Sequence, residues 1–461
     1  MKKKVVGLLM SVAMVAGLLA GCGGATASTA TTSTASTAAS TAASTAASTA
    51  ASTATSTAAS TAASTAASGK TDAANFKVGA ILVGDENEGY TYAHIEGIKK
   101  ACSDLGISES NIIFKYSIKE DETCHDAAVD LAEQGCNIIF ANSFGHETYI
   151  MQAASEYPNI YFAHATGTHA KSAGLANFCN YFDNIYEARY VSGIVAGLKL
   201  KELMDAGKVT DPYIGYVGAY PYAEVVSGYT AFFLGIQSIV PDAHMDVQYT
   251  NSWFNITAEG EAANALIAKG CCIIGQHADS TGAPSAVEAA FKAGKTVYSV
   301  GYNVDMTSVA PDVALTSPQN NWAIAYEEII KTAMTGGKLE TDYCNGYAND
   351  GVMISSLGTA CAAGTQDAVD KAIASIKDGS LHVFDTSKFT CAVPDPNDGS
   401  KGYKTDDKGV VISAFASDTN GDYVNDADEA VTDGYYHEST FQSAPSFSLR
   451  INGITELNAG S

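Results

Sequence analysis

The chain has 461 residues, of which 46% are hydrophobic and 16% charged, and its 26 basic and 50 acidic residues give a formal net charge of −24. The hydrophobic fraction is that of a globular protein, and the length allows two or three domains. So acidic a composition excludes nucleic acid and anionic lipid headgroups as partners of the folded part, because both require a basic patch.

The first 22 residues have the pattern of an export leader. Lys2–Lys4 are basic, and Val5–Leu19 is an apolar stretch of 15 residues. This is shorter than the roughly 20 residues that span a bilayer, so we predict a signal peptide at residues 1–21. Leu19-Ala20-Gly21-Cys22 resembles a bacterial lipobox, which implies a lipid on Cys22 and an extracytoplasmic position at the cell membrane. A plain secretory signal with an incidental cysteine is the alternative.

Residues 22–72 predict a flexible tether. Ala25–Ser68 contains only Ala, Ser and Thr, in a repeat of four residues. Without large apolar side chains, such a segment cannot bury enough surface to offset the entropy lost on ordering. A flexible chain of these 44 residues spans about 35–40 Å. The folded part is therefore expected to stand away from the membrane.

Nine cysteines remain after Cys22. The number is odd, and the sequence has no CxxC or Cys/His spacing of the zinc type. Several lie inside apolar runs, such as Gly135–Ile139 and Cys271–Ile274. We therefore expect buried thiols, with a disulfide such as Cys361–Cys391 as the alternative.

Short apolar runs alternate with longer segments of helical period from Phe76 onward. This alternation predicts a parallel α/β sheet in a first lobe, residues 73–185. The predicted strands are Phe76–Val83, Asn111–Ile118, Asn137–Ala141, Ile160–Ala163 and Phe178–Phe182, and the helices between them are Gly89–Leu105, Thr123–Gln134 and His146–Tyr157.

After a long helix, Ile185–Met204, the alternation restarts and predicts a second lobe, residues 186–315. Residues 316–380 are expected to cross back between the lobes, and residues 381–461 to form an acidic extension of irregular structure and short strands. The predicted strands are Tyr213–Val217, Met245–Thr250, Cys272–Gln276, Thr296–Gly301 and Val313–Thr316, and the helices are Glu224–Val240, Glu259–Lys269, Ser285–Ala293, Asn321–Met334 and Gln366–Lys377. We therefore predict an α/β protein of two Rossmann-like lobes, with a ligand cleft beyond the carboxyl ends of the strands.

Strings at the predicted strand ends resemble those of the basic membrane protein family, which includes lipoproteins of the purine nucleoside receptor type. Gly89-Tyr90-Thr91-Tyr92-Ala93-His94 is similar to the family's GWTYAH stretch, with Tyr90 where Trp is frequent. Further matching strings are Ala141–His146, Tyr190–Gly197, Gly215–Pro221, Asn251–Asn255, Gly275–Ser280 and Gly301–Met306. The resemblance covers about residues 77–337. It implies the monomeric substrate-binding component of an ABC importer, with a fold like that of type I periplasmic binding proteins, which works with a permease and its ATPase.

The resemblance also implies a purine nucleoside or nucleobase as ligand, which needs flat apolar walls and hydrogen-bonding groups at its edges. The candidate walls are Tyr90, Phe144 and Trp253, because stacking is worth roughly 1–3 kcal/mol per base. The candidate edge contacts, all just after predicted strands, are Asp85, Asn142, Asn255, Gln276, His277, Asp279, Asn303 and Asp305. For Asp85 and Asn255, capping of the next helix is an equal alternative. Asn255 also stands where family members often have Asp.

Other functions have less support. The sequence has no GxSxG, HExxH or GxxxxGK[ST] motif, so we predict neither an enzyme nor the transporter's ATPase, and no cofactor. Asp418–Glu429 spaces its oxygens like a calcium loop but has Tyr423 at the glycine position, which favours an acidic loop over a metal site. A receptor for a sugar or an autoinducer, and a sensory protein that signals to a membrane kinase, remain alternatives.

Overall fold

The computed structural model describes residues 70–394, 402–419 and 424–459. The predicted leader, Cys22 and most of the predicted tether lie outside these ranges, as do residues 420–423 of the acidic loop. Within the described residues, no helix combines the length and the apolar character that crossing a membrane requires.

Strands and helices alternate through both lobes. The strands are β1 (Val78–Ile81), β2 (Ile112–Lys115), β3 (Ile138–Ala141), β4 (Tyr161–Ala165), β5 (Phe178–Tyr181), β6 (Tyr213–Gly218), β7 (His244–Tyr249), β8 (Ile273–His277), β9 (Tyr298–Val300), β10 (Ala314–Thr316), β11 (Pro318–Asn320), β12 (Asp342–Tyr343), β13 (Val352–Ile354), β14 (Tyr403–Thr405), β15 (Val411–Ser417), β16 (Ala427–Glu429), β17 (Val431–Thr432), β18 (Tyr435–Tyr436) and β19 (Ile454–Glu456). The helices are α1 (Gly89–Asp104), α2 (Thr123–Glu133), α3 (Glu147–Glu156), α4 (Ala170–Ala173), α5 (Ile185–Asp205), α6 (Ala223–Gln237), α7 (Ile256–Lys269), α8 (Gly282–Lys292), α9 (Trp322–Met334) and α10 (Thr365–Lys377).

The first lobe is built on a parallel sheet with the strand order β12-β5-β4-β3-β1-β2. Successive residues of its strands point to opposite faces, so Ile138 and Phe140 join one apolar cluster and Ile139 joins another. Helices α1 and α9 pack together, as do α2 and α3. A sheet covered on both faces requires the nearly continuous apolar strands that the sequence has here.

The second lobe repeats this plan with the strand order β10-β9-β8-β6-β7-β19, again all parallel. Helices α5 and α6 pack along each other, and α7 packs against α8. The prediction of an α/β fold with two parallel sheets is confirmed.

Residues 316–380 contribute to both lobes. Helix α9 packs against α1, and β12 pairs with β5 at the edge of the first sheet. Strands β11 and β13 form an antiparallel pair, and α10 packs against α5. The sequence does not predict β11, β12 or β13, because strands of two or three residues are too short to show a period.

The C-terminal extension contains short strands, and one of them joins the second sheet. It contains the antiparallel sheet β14-β15-β16, the β17–β18 hairpin and β19, which pairs with β7. The carboxylate of Glu456 in β19 accepts hydrogen bonds from the hydroxyls of Tyr229 and Tyr249. The last described strand is therefore part of the second sheet.

The nine cysteines after Cys22 all lie in the described ranges, and none of them forms a disulfide. Seven are buried, while Cys344 and Cys361 are partly exposed. Cys361 and Cys391 are not bridged. The structure therefore agrees with the expectation of buried thiols and not with the disulfide alternative.

Helices α5 and α6 approach so closely that glycine is required on both sides. A Cβ added to Gly193 would lie 2.1 Å from the carbonyl oxygen of Phe232, and one added to Gly235 would lie 2.1 Å from that of Tyr190. Both obstacles are backbone atoms, which cannot move without shifting a helix. The close packing of these helices therefore requires that Gly193 and Gly235 have no side chain.

We expect Gly235→Ala to lower the free energy of unfolding by about 2–3 kcal/mol, because the added methyl group overpacks this contact. Urea denaturation of the purified folded part measures the change. Gly260→Ala in α7 is the matched control, since its new Cβ would have no atom closer than 3.5 Å. The control should be neutral or stabilising by up to about 1 kcal/mol, and equal destabilisation by both variants would contradict the packing argument.

Candidate functional site

A cavity lies between the two lobes, where the carboxyl ends of strands from both parallel sheets face each other. The lining residues are Val83, Glu88, Tyr90, Asn142, Ser143, Phe144 and Thr166 from the first lobe and Glu224, Trp253, His277, Asp279 and Tyr302 from the second. In parallel α/β sheets this is the usual position of a ligand site.

The lobes lie close together around this cavity. Its volume is about 30 Å³, which is room for roughly two water molecules. The backbone N–H of Gly89 donates to the carbonyl of Asp279 across the gap (3.4 Å), and the rings of Phe144 and Tyr222 stack with their centroids 5.7 Å apart. These contacts join the lobes across the cavity, so we expect entry of a planar organic ligand to require the lobes to separate.

Eleven residues were predicted to contact the ligand, and six of them line the cavity: Tyr90, Asn142, Phe144, Trp253, His277 and Asp279. Three others are exposed and lie outside the lining. Asp85 and Asp305 each accept hydrogen bonds from the residue two positions later, and Asn255 caps α7 through its side chain. For Asn255, the helix-capping alternative is the role that the geometry displays, whereas Asp85 binds Asn87 in the loop before α1 and does not cap that helix, whose N-cap is Glu88.

The last two predicted residues are buried behind the lining. The Gln276 amide donates to the carbonyls of Ala278 and Ser280, at 2.7 and 3.0 Å. Asn303 donates from Nδ2 to Oδ1 of Asp279 at 2.6 Å. Gln276 therefore holds the loop after β8, whereas Asn303 orients a carboxyl group that faces the cavity.

Aromatic rings form flat walls on both sides of the cavity: Tyr90 and Phe144 in the first lobe, Trp253 and Tyr302 in the second. The Tyr90 hydroxyl donates to the carbonyl of Asn142 at 2.6 Å, which fixes the position of this ring. The guanidinium of Arg189 lies 3.7 Å from the centroid of the Tyr302 ring, on which it packs as a buried cation.

Asn142 offers the cavity a free hydrogen-bond donor. Its side chain is 1% exposed, and its Oδ1 accepts the backbone N–H of Val83 at 3.0 Å. This bond assigns Nδ2 as the other atom of the amide, and Nδ2 has no hydrogen-bond partner among the described residues. A buried N–H without a partner is costly. A ligand atom that accepts this hydrogen bond would therefore bind favourably here.

Three carboxyl groups, those of Glu88, Glu224 and Asp279, line the cavity, and the described lining includes no Lys or Arg. Burial raises the pKa of Glu88, and burial together with the neighbouring carboxylates raises the pKa of Asp279 well above its usual range. Glu259 lies just behind and accepts the backbone N–H of Ser280, and burial raises its pKa to about 7. These groups suit a ligand that donates hydrogen bonds.

His277 is a neutral member of the wall. Burial, assisted by the charge of Arg189, lowers the pKa of its imidazole to about 4. Its Nε2 lies 3.1 Å from Oε1 of Glu224, and because a carboxylate can only accept, the ring proton belongs on Nε2. In the described part of the chain, no group of three or more His, Cys, Asp or Glu side chains is arranged to hold a metal ion.

Sequence reasoning missed six lining residues, namely Val83, Glu88, Ser143, Thr166, Glu224 and Tyr302. Ser143 and Tyr302 lie inside the family-like strings Ala141–His146 and Gly301–Met306, next to residues predicted to contact the ligand. Glu88 and Glu224 lie immediately before and at the start of helices α1 and α6, and a first-turn acid reads as helix stabilisation. Thr166 has a positive φ of 66°, which no sequence pattern announces.

Two α/β lobes that meet at a cavity define a two-lobed solute-binding protein. Residues 76–372 match the family model described as ABC transporter substrate-binding protein PnrA-like. The chain belongs to this family, as the resemblance to the basic membrane protein family predicts. It is thus a substrate-binding protein of the ABC transporter class.

Similar proteins agree with this assignment. A purine-binding protein of Brucella abortus is 34% identical over 261 residues, which are 56% of this chain and 69% of that protein. A candidate ABC transporter glucose-binding protein of Haloferax volcanii is 33% identical over 259 residues, 56% of this chain and 61% of its own length. The solved solute-binding protein of an ABC transporter system from Conexibacter woesei has the same fold, with a TM-score of 0.55, 18% identity, and coverage of 67% of this chain and 98% of its own.

The raised pKa of Glu259 makes stability depend on pH. Its carboxyl group holds a proton up to pH 7 in the folded state, against about 4.5 when unfolded. Folding is therefore favoured at low pH, and this contribution is lost as the pH rises through that window. We compare the free energy of unfolding of Glu259→Gln with that of the unmodified protein. This difference should rise by about 2 kcal/mol in favour of the variant as the pH is raised from about 5 to about 8.

Urea denaturation at both pH values measures this gain. Glu261→Gln, an exposed site on the same helix, is the control and should show no such dependence. A Glu259→Gln difference that is constant with pH would mean that this carboxyl is ionised throughout.

Proposed function

We propose that the protein binds a purine nucleoside or nucleobase between its lobes and delivers it to an ABC permease with its ATPase. The arrangement that supports this most is the presence in one cavity of flat aromatic walls, the unpaired Nδ2 of Asn142 and the carboxyl group of Asp279. A purine has complementary groups: two flat faces, ring nitrogens that accept, and N–H or ribose hydroxyl groups that donate.

In this proposal, the lobes close on the ligand about a hinge. Rings from the first lobe and from the second then contact opposite sides of the base, and each stacked ring contributes about 1–3 kcal/mol. The closed form presents a different surface to the permease from the open form, so that ligand occupancy is coupled to docking.

The names of the relatives support two ligand classes. The Brucella abortus protein is named as purine-binding, and the Haloferax volcanii protein as a candidate glucose-binding protein. A sugar is thus the second candidate, because three carboxyl groups in the cavity suit hydroxyl donors. The aromatic walls from both lobes favour the purine, which has two flat faces that can stack against them.

A thermal-shift screen separates the two classes. The panel contains adenosine, guanosine, inosine, adenine, guanine, ribose and glucose. A ligand at 100 times its Kd adds about 2.7 kcal/mol of stability. We expect a nucleoside or a base to raise the melting temperature. If a sugar alone raises it, the purine assignment is wrong.

Trp253→Ala should weaken binding of the active ligand about tenfold or more, because it removes a stacking wall while leaving the fold intact. The chain has two tryptophans, so ligand-induced change of intrinsic fluorescence should also disappear in this variant. Trp322→Phe is the matched control, since Trp322 is buried behind His94 and does not line the cavity. The control should keep the fluorescence change. Unaltered affinity in Trp253→Ala would remove this ring from the site.

We also propose that the mature chain is anchored by a lipid on Cys22, outside the cytoplasm. The lipobox-like Leu19–Cys22 and the uncharged tether support this position. Anchoring keeps a receptor near its permease while the tether allows the folded part to reach it.

Mass spectrometry of the N-terminal peptide from membranes tests the anchor. The peptide of the unmodified protein should begin at Cys22 and carry the mass of a diacylglycerol group. Cys22→Ala should lose that mass completely, whereas Cys361→Ala, which changes a different cysteine, should retain it. A peptide that begins elsewhere and lacks lipid would leave only the plain secretory signal.

A further inference from the structure

A second cavity lies apart from the inter-lobe site. It is bordered by the N-terminus of α5, the end of α10 and residues 435–440 of the C-terminal extension. Its volume is about 330 Å³, within the range of roughly 300–1,000 Å³ that small-molecule pockets occupy. The family match ends at residue 372, so much of this wall is built by residues beyond the matched region.

Aromatic rings form part of the wall, and their faces are largely stacked on one another. His382, Tyr435 and His437 make a ladder with ring centroids 3.7 and 3.8 Å apart. Tyr186 and Phe384 stack at 5.4 Å. Because Tyr435 has an imidazole on each face, only the edges of its ring are available to a ligand. The ladder therefore offers polar edges rather than open faces.

Two carboxyl groups line this cavity, and they differ in their partners. The carboxylate of Glu438 accepts four hydrogen bonds, from Ser227, Ser446 and Phe447, so its role is structural. Glu187 uses Oε2 to accept the backbone N–H of Tyr347 at 2.6 Å, while its Oε1 accepts no hydrogen bond from the described residues. Burial raises the pKa of Glu187 to about 7.

The cavity has two carboxyl groups, and its basic side chains are the imidazoles of His382 and His437, which stack on Tyr435. Among the lining residues, all of which belong to the described part of the chain, there is no Lys or Arg. A largely buried carboxylate without a counter-charge costs free energy, and a charge-assisted hydrogen bond from a bound cation relieves that cost. An ammonium group supplies three N–H donors and accepts nothing, which matches Oε1 and the phenol oxygen of Tyr435.

We propose that this cavity binds the ammonium group of a small organic amine, which donates to Oε1 of Glu187. The hydroxyl edge of Tyr435 provides a second acceptor, and the carbon part of the amine contacts the apolar side chains of Ile376 and Leu381 in the wall. The site is independent of the purine proposal, since the two cavities share no lining residue.

Isothermal titration calorimetry with two matched probes tests this. 4-Amino-1-butanol and 1,4-butanediol have the same length, but the first has an ammonium group where the second has a hydroxyl group. We expect the amine to bind at least about tenfold more tightly than the diol. Glu187→Gln should reduce amine binding to the level of the diol, because the amide still accepts the Tyr347 N–H but carries no charge.

Glu261→Gln removes one exposed acid of the second lobe and should leave amine binding unchanged. Tyr435→Phe keeps the ring stack but removes the hydroxyl, so it gives a second test if Glu187→Gln fails to fold; we expect weaker amine binding. Equal binding of amine and diol would identify a polyol site and overturn the proposal, as would failure of the amine to bind. Repeating the titration in the presence of the compound that raises the melting temperature in the nucleoside and sugar screen separates the two sites, since an unchanged amine affinity shows that the two compounds do not compete.

Discussion

The inter-lobe site depends on one buried cation, the guanidinium of Arg189 in α5. Its side chain is 1% exposed, and Nη1 donates to the hydroxyl of Tyr216 and to the carbonyl of Gln276, at 2.8 and 2.6 Å. Its face packs on Tyr302. One side chain therefore ties the helix that opens the second lobe to two strands and to a wall of the cavity. Because the charge lies behind the wall, a ligand meets acidic groups while the protein retains a compensating cation.

Carboxyl groups gathered in a small cavity repel one another, and this repulsion opposes the close approach of the two lobes. Glu88 comes from the first lobe and Asp279 from the second, and burial together with the charge of Glu88 raises the pKa of Asp279. Ligand donors placed between them would replace repulsion with hydrogen bonds. The stacked pair Phe144 and Tyr222 then adds a contact that forms only when the lobes meet. Separation of the lobes would relieve the repulsion but break the ring stack, and a bound donor would shift this balance toward the closed arrangement.

The sequence predicts the fold well because parallel strands and their helices are long enough to show a period, and most observed elements begin or end within a few residues of the predicted positions. It predicts the site less well. The ends of the predicted strands identify the loops that reach the cleft. For this reason the sequence correctly places Asn142, Trp253 and Asp279 at the cavity. The direction of a side chain within such a loop depends on φ and on local capping, so Asn255 turned to its helix while Glu224 faced the cavity. The sequence does not predict the short strand β12, because its pairing with β5 is decided by tertiary contacts.

The placement of β19 has a consequence for how the chain acquires its structure. This strand comes from residues 454–456 but lies beside β7, about two hundred positions earlier, where it covers what would be an open sheet edge. During synthesis, the second sheet cannot gain this strand until residues 454–456 have emerged, so completion of the sheet must wait for them. A fragment cut at the end of the family match would expose a row of unpaired backbone groups. The extension is therefore part of the folding unit, and the residue range that matches the family is narrower than the folded domain.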